Sequence, residues 1–159
     1  MRAYFFGNYY LSSIQQGIQA AHCVADMFVK YGNIHTSPQQ FNLFEWAEKH
    51  KTMVLLNGGN QSSIIDLAKF FDAPENPFPW APFNEDFQSL NNCVTTVGII
   101  IPERIYEASS LLRARKMIII RTEGEPSSII KSDGIEFDWE FSEWELQLIE
   151  KLNQYGLAK

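Results

Sequence analysis

Eight consecutive residues, Val94 to Ile101, read Val-Thr-Thr-Val-Gly-Ile-Ile-Ile. Such a β-branched and apolar run, with no polar alternation, has no side to turn toward water. It therefore demands a central strand covered on both faces. That demand selects a sheet layered between helices over a bundle or a one-faced sheet. The rest of the chain supplies the layers. Ala3-Tyr4-Phe5-Phe6, ending at Gly7-Asn8, reads as a second buried strand closed by a turn.

Ser12 or Ser13 caps a long helix that runs to about Lys30. Ile14, Ile18, Ala21, Ala25 and Phe28 share one face, and Ala20, Cys23, Val24 and Met27 widen it. Only a narrow polar stripe of Gln15, Gln19, His22, Asp26 and Lys30 remains. A helix so apolar around its circumference is expected to be wedged between other elements. Ser37-Pro38 opens a second helix reaching His50. Thr52 to Leu56 is a buried strand ending at Asn57-Gly58-Gly59, and Ser62 or Ser63 starts a third helix to Phe71.

From Asp72 to Asn92 four prolines surround Trp80 and suggest an irregular loop. Its aromatics Phe78, Trp80, Phe83 and Phe87 favour an ordered loop packed on something. Pro102-Glu103 begins a helix to about Arg115, and Met117 to Ile120 makes a fourth strand. Ile129-Ile130 sits between turns, and Ser142 caps a last helix bearing Trp144, Leu148 and Leu152. The expected class is α/β: three layers, α/β/α, around a mixed sheet of about four strands, with a C-terminal strand–helix extension.

A length of 159 residues suggests a single domain, 1–159. The 45% hydrophobic content indicates an ordered core rather than a disordered chain. Net charge is −6, which weighs against a polyphosphate partner such as tRNA. Cys23 and Cys93 are too few for a disulfide framework and read as buried thiols of a reducing compartment. No signal-peptide pattern and no apolar run of ~20 residues is visible, so a cytoplasmic protein without a membrane partner is expected.

Gly17-Ile18-Gln19-Ala20-Ala21-His22-Cys23 resembles the Gly-Lys-x-Ala-Ala-Gln-Cys segment of type 2 (archaeal and eukaryotic) peptidyl-tRNA hydrolases. Val94-Thr95-Thr96-Val97-Gly98-Ile99 with Pro102 is similar to the family's Thr-Val-x-x-Ile-Gly-Pro strand. The resemblance covers residues 3–115, leaving 116–159 as an extension. It implies a pocket in which lysine, aspartate and threonine surround an ester at the end of tRNA. Thr95 best matches the pocket threonine, with Thr96 one position off. Glu85-Asp86-Phe87-Gln88-Ser89 stands where the family carries Asp-Ala-Gly-x-Thr, so Asp86 or Glu85 would supply the carboxylate and Ser89 the hydroxyl. Ile18 replaces the catalytic lysine and His22 the glutamine. The resemblance also implies a homodimer, for which Trp139, Phe141 and Trp144 are candidate contacts.

Isoleucine cannot stabilise developing negative charge as a lysine can. His22 with Asp26 at i+4, or with Asp86, could form an oriented general base; the same residues also suit an ordinary polar stripe. Asn57 opens a strand-to-helix turn, Asn57 to Ser63, that could hold an anion or be a plain connection. Trp80 and Phe83 could stack a base read by Asn84, Asn91 and Asn92, or form the loop's own core. Arg113, Arg115, Lys116 and Arg121 could clamp a pyrophosphate or be solvated charge. His35 and His50 lack ligand spacing, so neither a metal nor a cofactor is expected.

These features suggest a binder of a small nucleotide, lined by Gln15, Gln19, His22, Asp26, Asn57 and Trp80 with Phe83, Asp86, Ser89, Thr95 and Thr96. Loss of the lysine would suit a viral protein sequestering a host signal such as a cyclic ADP-ribose isomer or cyclic dinucleotide. The alternative is a hydrolase of peptidyl-tRNA or of a nucleotide signal, with His22 and Asp86 catalytic and a cation drawn from Lys116 or Arg121. An interaction module with a vestigial pocket is a third option.

Overall fold

The computed structural model describes residues 1–33, 36–86, 88, 91–120, 129–132, 135–136 and 139–158. The chain divides into two compact units, one of Met1–Ile101 with Gly156–Lys159 and one of Pro102–Tyr155. The first contains β1 (Arg2–Asn8), α1 (Ser13–Tyr31), α2 (Pro38–Glu45), β2 (Met53–Gly59), α3 (Gln61–Phe71), β3 (Trp80–Asn84) and β4 (Val94–Ile101). Its sheet runs β2-β1-β4-β3. β1 is parallel to β2 and antiparallel to β4, and β3 is antiparallel to β4. The carboxyl ends of β1, β2 and β3 therefore share one end of the sheet with the start of β4.

The run that demanded central placement has it: β4 is flanked on both sides and buried from Thr95 to Ile101. Successive β1 residues turn to opposite faces. Phe5 lies opposite Gly98, where an added Cβ would stand 2.6 Å from the Phe5 ring and 3.0 Å from Cε of Met27 on α1. Phe6 turns the other way and meets Phe71 of α3 with ring centroids 5.9 Å apart. Helices thus cover both faces, and each buried Phe or Met contributes on the order of 1.5–3 kcal/mol.

Several expectations are corrected. α1 is capped by Ser12 in a capping box with Gln15, but it does not bury the face chosen from apolar content. Gln16, Gln19, Ala20, Cys23, Met27 and Tyr31 face inward, while Ile14, Ile18 and Val29 are 76%, 51% and 81% exposed. Two glutamines can go inside because each finds a hydrogen-bond partner there, and apolar content alone carries no information about that. The helix after Ser37 stops at Glu45 and continues as a π turn, Trp46–His50. Lys51, at φ +54°, closes that turn with its N–H on the Trp46 carbonyl.

β2 is an edge strand rather than a buried one, with Met53 exposed. The C-terminal segment covers part of this edge through Asn57 N–H to Gly156 O and Ala158 N–H to Leu55 O. The segment read as irregular contains β3. Prolines hid it, because Pro is tolerated in an edge strand, where an N–H can be spared. Before it, buried Asn76 donates to Phe71 O at 2.7 Å and accepts from Phe78 N–H at 2.9 Å, which orders the connection.

The second unit holds α4 (Glu103–Arg113), β5 (Ile118–Ile120), β6 (Ile129–Ser132), β7 (Ile135–Glu136) and α5 (Glu143–Leu152). Ile118–Ile120 falls in the segment expected as a C-terminal strand–helix extension. It pairs with the adjacent β6 in a three-stranded antiparallel sheet, β5-β6-β7. Ser142 and Glu145 form a capping box on α5, and Arg104 pairs with Glu145. Phe141 and Trp144 are buried. Among the described residues no helix is long and apolar enough to cross a membrane.

Candidate functional site

One row crosses the sheet near the carboxyl ends of β1–β3: Asn57, Gly7, Thr96 and Phe83 are consecutive partners on the four strands. On β3 and β4 the register passes from Phe83↔Thr96 to Asn84↔Val94, skipping Thr95. That bulge breaks strict alternation and re-aims a side chain. Thr95 uses it to donate its hydroxyl to Gln19 Oε1 at 3.0 Å. Gln19 in turn donates Nε2 to the Glu85 carboxylate. The direction of this chain is fixed, since a carboxylate can only accept and so claims the amide nitrogen.

One turn earlier, Gln16 donates Nε2 to the Leu11 carbonyl at 2.9 Å. Among the described residues its Oε1 has no partner, and neither has Thr96 Oγ1, although the residues are only 5% and 0% exposed. Gly7 makes room for Gln16: a Cβ there would stand 3.3 Å from Oε1. Two unpaired buried oxygens thus border one position of the row. Each such group costs about 1–3 kcal/mol when left unmatched.

Aromatic rings flank this polar cluster. His22 is exposed and lies flat against Phe83, with centroids 4.4 Å apart and planes 11° from parallel. Tyr9 and Tyr10, in the turn after β1, have ring centroids 4.0 Å apart and are 46% and 78% exposed. Their backbone is tied down, Tyr9 N–H to Gly59 O and Tyr10 N–H to the side chain of buried Asn8. A hydrogen bond with Tyr10, then partial desolvation, raises the Tyr9 hydroxyl above its ordinary value. Burial, helped by Asp26, pushes the Cys23 thiol up, which keeps it protonated and unreactive.

The structure brings together Gln19, Thr95, Thr96, Phe83 and His22, and adds Gln16, Glu85, Asn8 and the tyrosine pair. Gln16 was missed because it breaks the apolar periodicity, and the tyrosines because a turn has no period to read. Glu85, rather than Asp86, joins the cluster; Asp86 is exposed, and its carbonyl accepts from Asn92 N–H. Gln15 is occupied by the Ser12 cap. Asn57 stands in the row, exposed, with Oδ1 holding Gly59 N–H at 3.0 Å. Asp26 is half-buried, and no hydrogen bond joins it to His22 among the described residues.

Trp80 belongs elsewhere. It pairs with Ile99, approaches Phe71, and carries Lys30 Nζ 3.8 Å above its ring. Burial there draws the Lys30 amine below its ordinary value, opposed by Asp72, and pushes the Tyr31 hydroxyl up to about 12. The Asn57-to-Ser63 turn is capped by Asn60, whose Oδ1 takes Ser63 N–H. Arg113, in the second unit, bonds Leu152 O and Asn153 Oδ1 at the end of α5, a structural task. Arg115 and Lys116 are exposed in that unit. Phe87, Ser89, Arg121 and His35 lie outside the described residues.

Chemically the cluster is a set of amide, hydroxyl and carboxylate groups beside an aromatic surface. Ile18 is half-exposed, turned away from the buried face of α1. No group of three or more His, Cys, Asp or Glu side chains suited to a metal occurs among the described residues. A groove of about 710 Å³ along α2, bordered by Phe41 and Phe44, contains none of the row residues. No protein-family model matches the chain, and no curated protein matches it.

Proposed function

We propose that this chain binds a small nucleotide-type ligand without turning it over, on a divergent relative of the type 2 peptidyl-tRNA hydrolase fold. The observation that carries the reading is the Thr95–Gln19–Glu85 hydrogen-bond chain beside two unpaired buried oxygens. It stands at the carboxyl ends of the parallel strands, where open α/β sheets generally take ligands. The His22–Phe83 stack offers a flat surface against which a base can lie. Element order supports the kinship apart from β3, which stands where a loop was expected: strand, long helix, helix, strand, helix, β3, then β4 followed by Pro102 and another helix.

Binding is favoured over turnover by what surrounds His22. Among the described residues its ring is stacked on Phe83 with no hydrogen bond to a carboxylate, and the cluster's own carboxylate, Glu85, is held by Gln19. An oriented general base needs a partner that fixes its tautomer, and a hydrolase of this kind also needs a cation or donor for the developing charge. Sequestering a nucleotide signal is the biological role that retention without cleavage would serve.

Purified protein is incubated with a panel of linear and cyclic nucleotides, freed of unbound material and heat-denatured, and the released compounds are weighed by mass spectrometry. An intact nucleotide in near-stoichiometric amount is expected. A cleaved product, or consumption without retention, assigns a hydrolase instead, and no retention of any nucleotide removes the binding reading.

A further inference from the structure

The charge layout of the first unit bears on which part of a ligand is held. Residues 3–29 and 70–101, which supply α1 up to Val29 and the whole of β1, β3 and β4 after Arg2, contain no lysine or arginine. Every described cation of the unit is placed elsewhere. Arg2 starts β1 opposite Ile101, Lys30 lies near the end of α1, and Lys69 near the end of α3. Lys49 and Lys51 precede β2, at its amino end. The carboxyl-end cluster carries Glu85 within it and Asp26 and Asp86 on the same α1 and β3–β4 elements.

Hydrogen-bond polarity points the same way. Gln16 commits one of its two Nε2 hydrogens to Leu11 O and Gln19 one of its own to Glu85, while Thr95 spends its hydroxyl proton on Gln19. What stays without a partner among the described residues is Gln16 Oε1, an acceptor, and Thr96 Oγ1, which can act either way, beside the remaining lone pairs of the Glu85 carboxylate. A phosphate, itself acceptor-only and anionic, finds no lysine or arginine on these stretches, cannot pair with Gln16 Oε1, and meets repulsion from Glu85.

We infer that the site holds its ligand by a neutral hydrogen-bond-donating face, the ribose hydroxyls or amino-bearing base edge of a nucleoside, and leaves phosphate groups ungripped. This rests on the nucleotide reading above and narrows it. Gln16 is anchored on the turn after β1 through Leu11 O.

The test is titration calorimetry with the four common ribonucleosides, their 5′-monophosphates and their 5′-triphosphates, at 50 and 300 mM salt. Expected is a nucleoside binding within about threefold of its monophosphate, with the triphosphate no tighter and Kd changing less than about twofold with salt. The isosteric Gln16→Met variant removes the orphan acceptor and also the N–H that serves Leu11 O, two opposed effects, so it is expected to stay folded with a small net change in Tm while weakening that nucleoside about tenfold or more. Inosine and 2′,3′-dideoxyadenosine, set against adenosine, separate the amino group from the ribose hydroxyls as the donor. Affinity that rises tenfold with added phosphate, or that collapses with salt, overturns the inference, as does unchanged nucleoside affinity in a folded Gln16→Met. Binding of phosphorylated forms without nucleosides overturns it while leaving the nucleotide reading intact; binding of neither class, with an empty retention panel, overturns both.

Discussion

Gly98 shows how far a single residue decides this architecture. Its missing side chain is the space in which the Phe5 ring and Met27 Cε meet, so α1 lies close on β4 only because the position is empty. Gly98→Ala should destabilise the fold by about 1–3 kcal/mol, because a rigid ring and the backbone must both give way. A urea unfolding curve with unchanged midpoint would contradict that packing. Tyr31 offers a test in pH. Its hydroxyl titrates near 12 in the folded chain and near 10 when unfolded, so the unfolded state ionises first as pH rises. The stability it contributes is fully present below pH 10 and is lost between about 10 and 12. Tyr31→Phe is therefore expected to move the alkaline unfolding midpoint, followed by circular dichroism, to higher pH. At the site, His22→Ala should weaken ligand binding several-fold by removing the ring that lies on Phe83, with no change in ligand integrity.

The elements divide according to whether their cause is local. β4 was legible because an unbroken β-branched run admits one placement, and the capping residues of α1, α2 and α5 stand where Ser12, Ser37 and Ser142 announce them. Ser12→Ala should cost about 1 kcal/mol, removing the acceptor for Gln15 N–H at one end of the longest helix, as a shift in thermal midpoint would register. β3 was not legible, because its prolines argue against a strand unless the strand is known to be at an edge. The buried face of α1 was misread for a related reason. Ile14, Ile18 and Val29 are the more apolar residues, yet Gln16 and Gln19 point inward, since Leu11 O, Thr95 and Glu85 wait there. Those partners come from a turn, a bulge and a strand end, none of which leaves a period in the sequence. The polar cluster was therefore only half visible: Gln19 through the polar stripe of the first helix, Thr95 and Glu85 through the suggested resemblance, Gln16 and the tyrosine turn not at all.

Across the molecule, a net charge of −6 told against a polyphosphate partner without saying where the charges lie. In the first unit the placement is polar in the literal sense, with lysines and Arg2 away from the carboxyl ends of the strands and acceptors gathered at them. The sheet assembles residues 66 and 76 positions away from Gln19 into one hydrogen-bond chain. Everything proposed about function depends on that assembly. The most direct measurement is the mass and amount of compound released on denaturation from the wild type and from Gln19→Leu, after both meet the same nucleotide panel. The account predicts one intact nucleotide from the wild type at near-unit stoichiometry, and at least tenfold less from a folded Gln19→Leu. Equal retention by the two proteins, or a cleaved product from either, would contradict it.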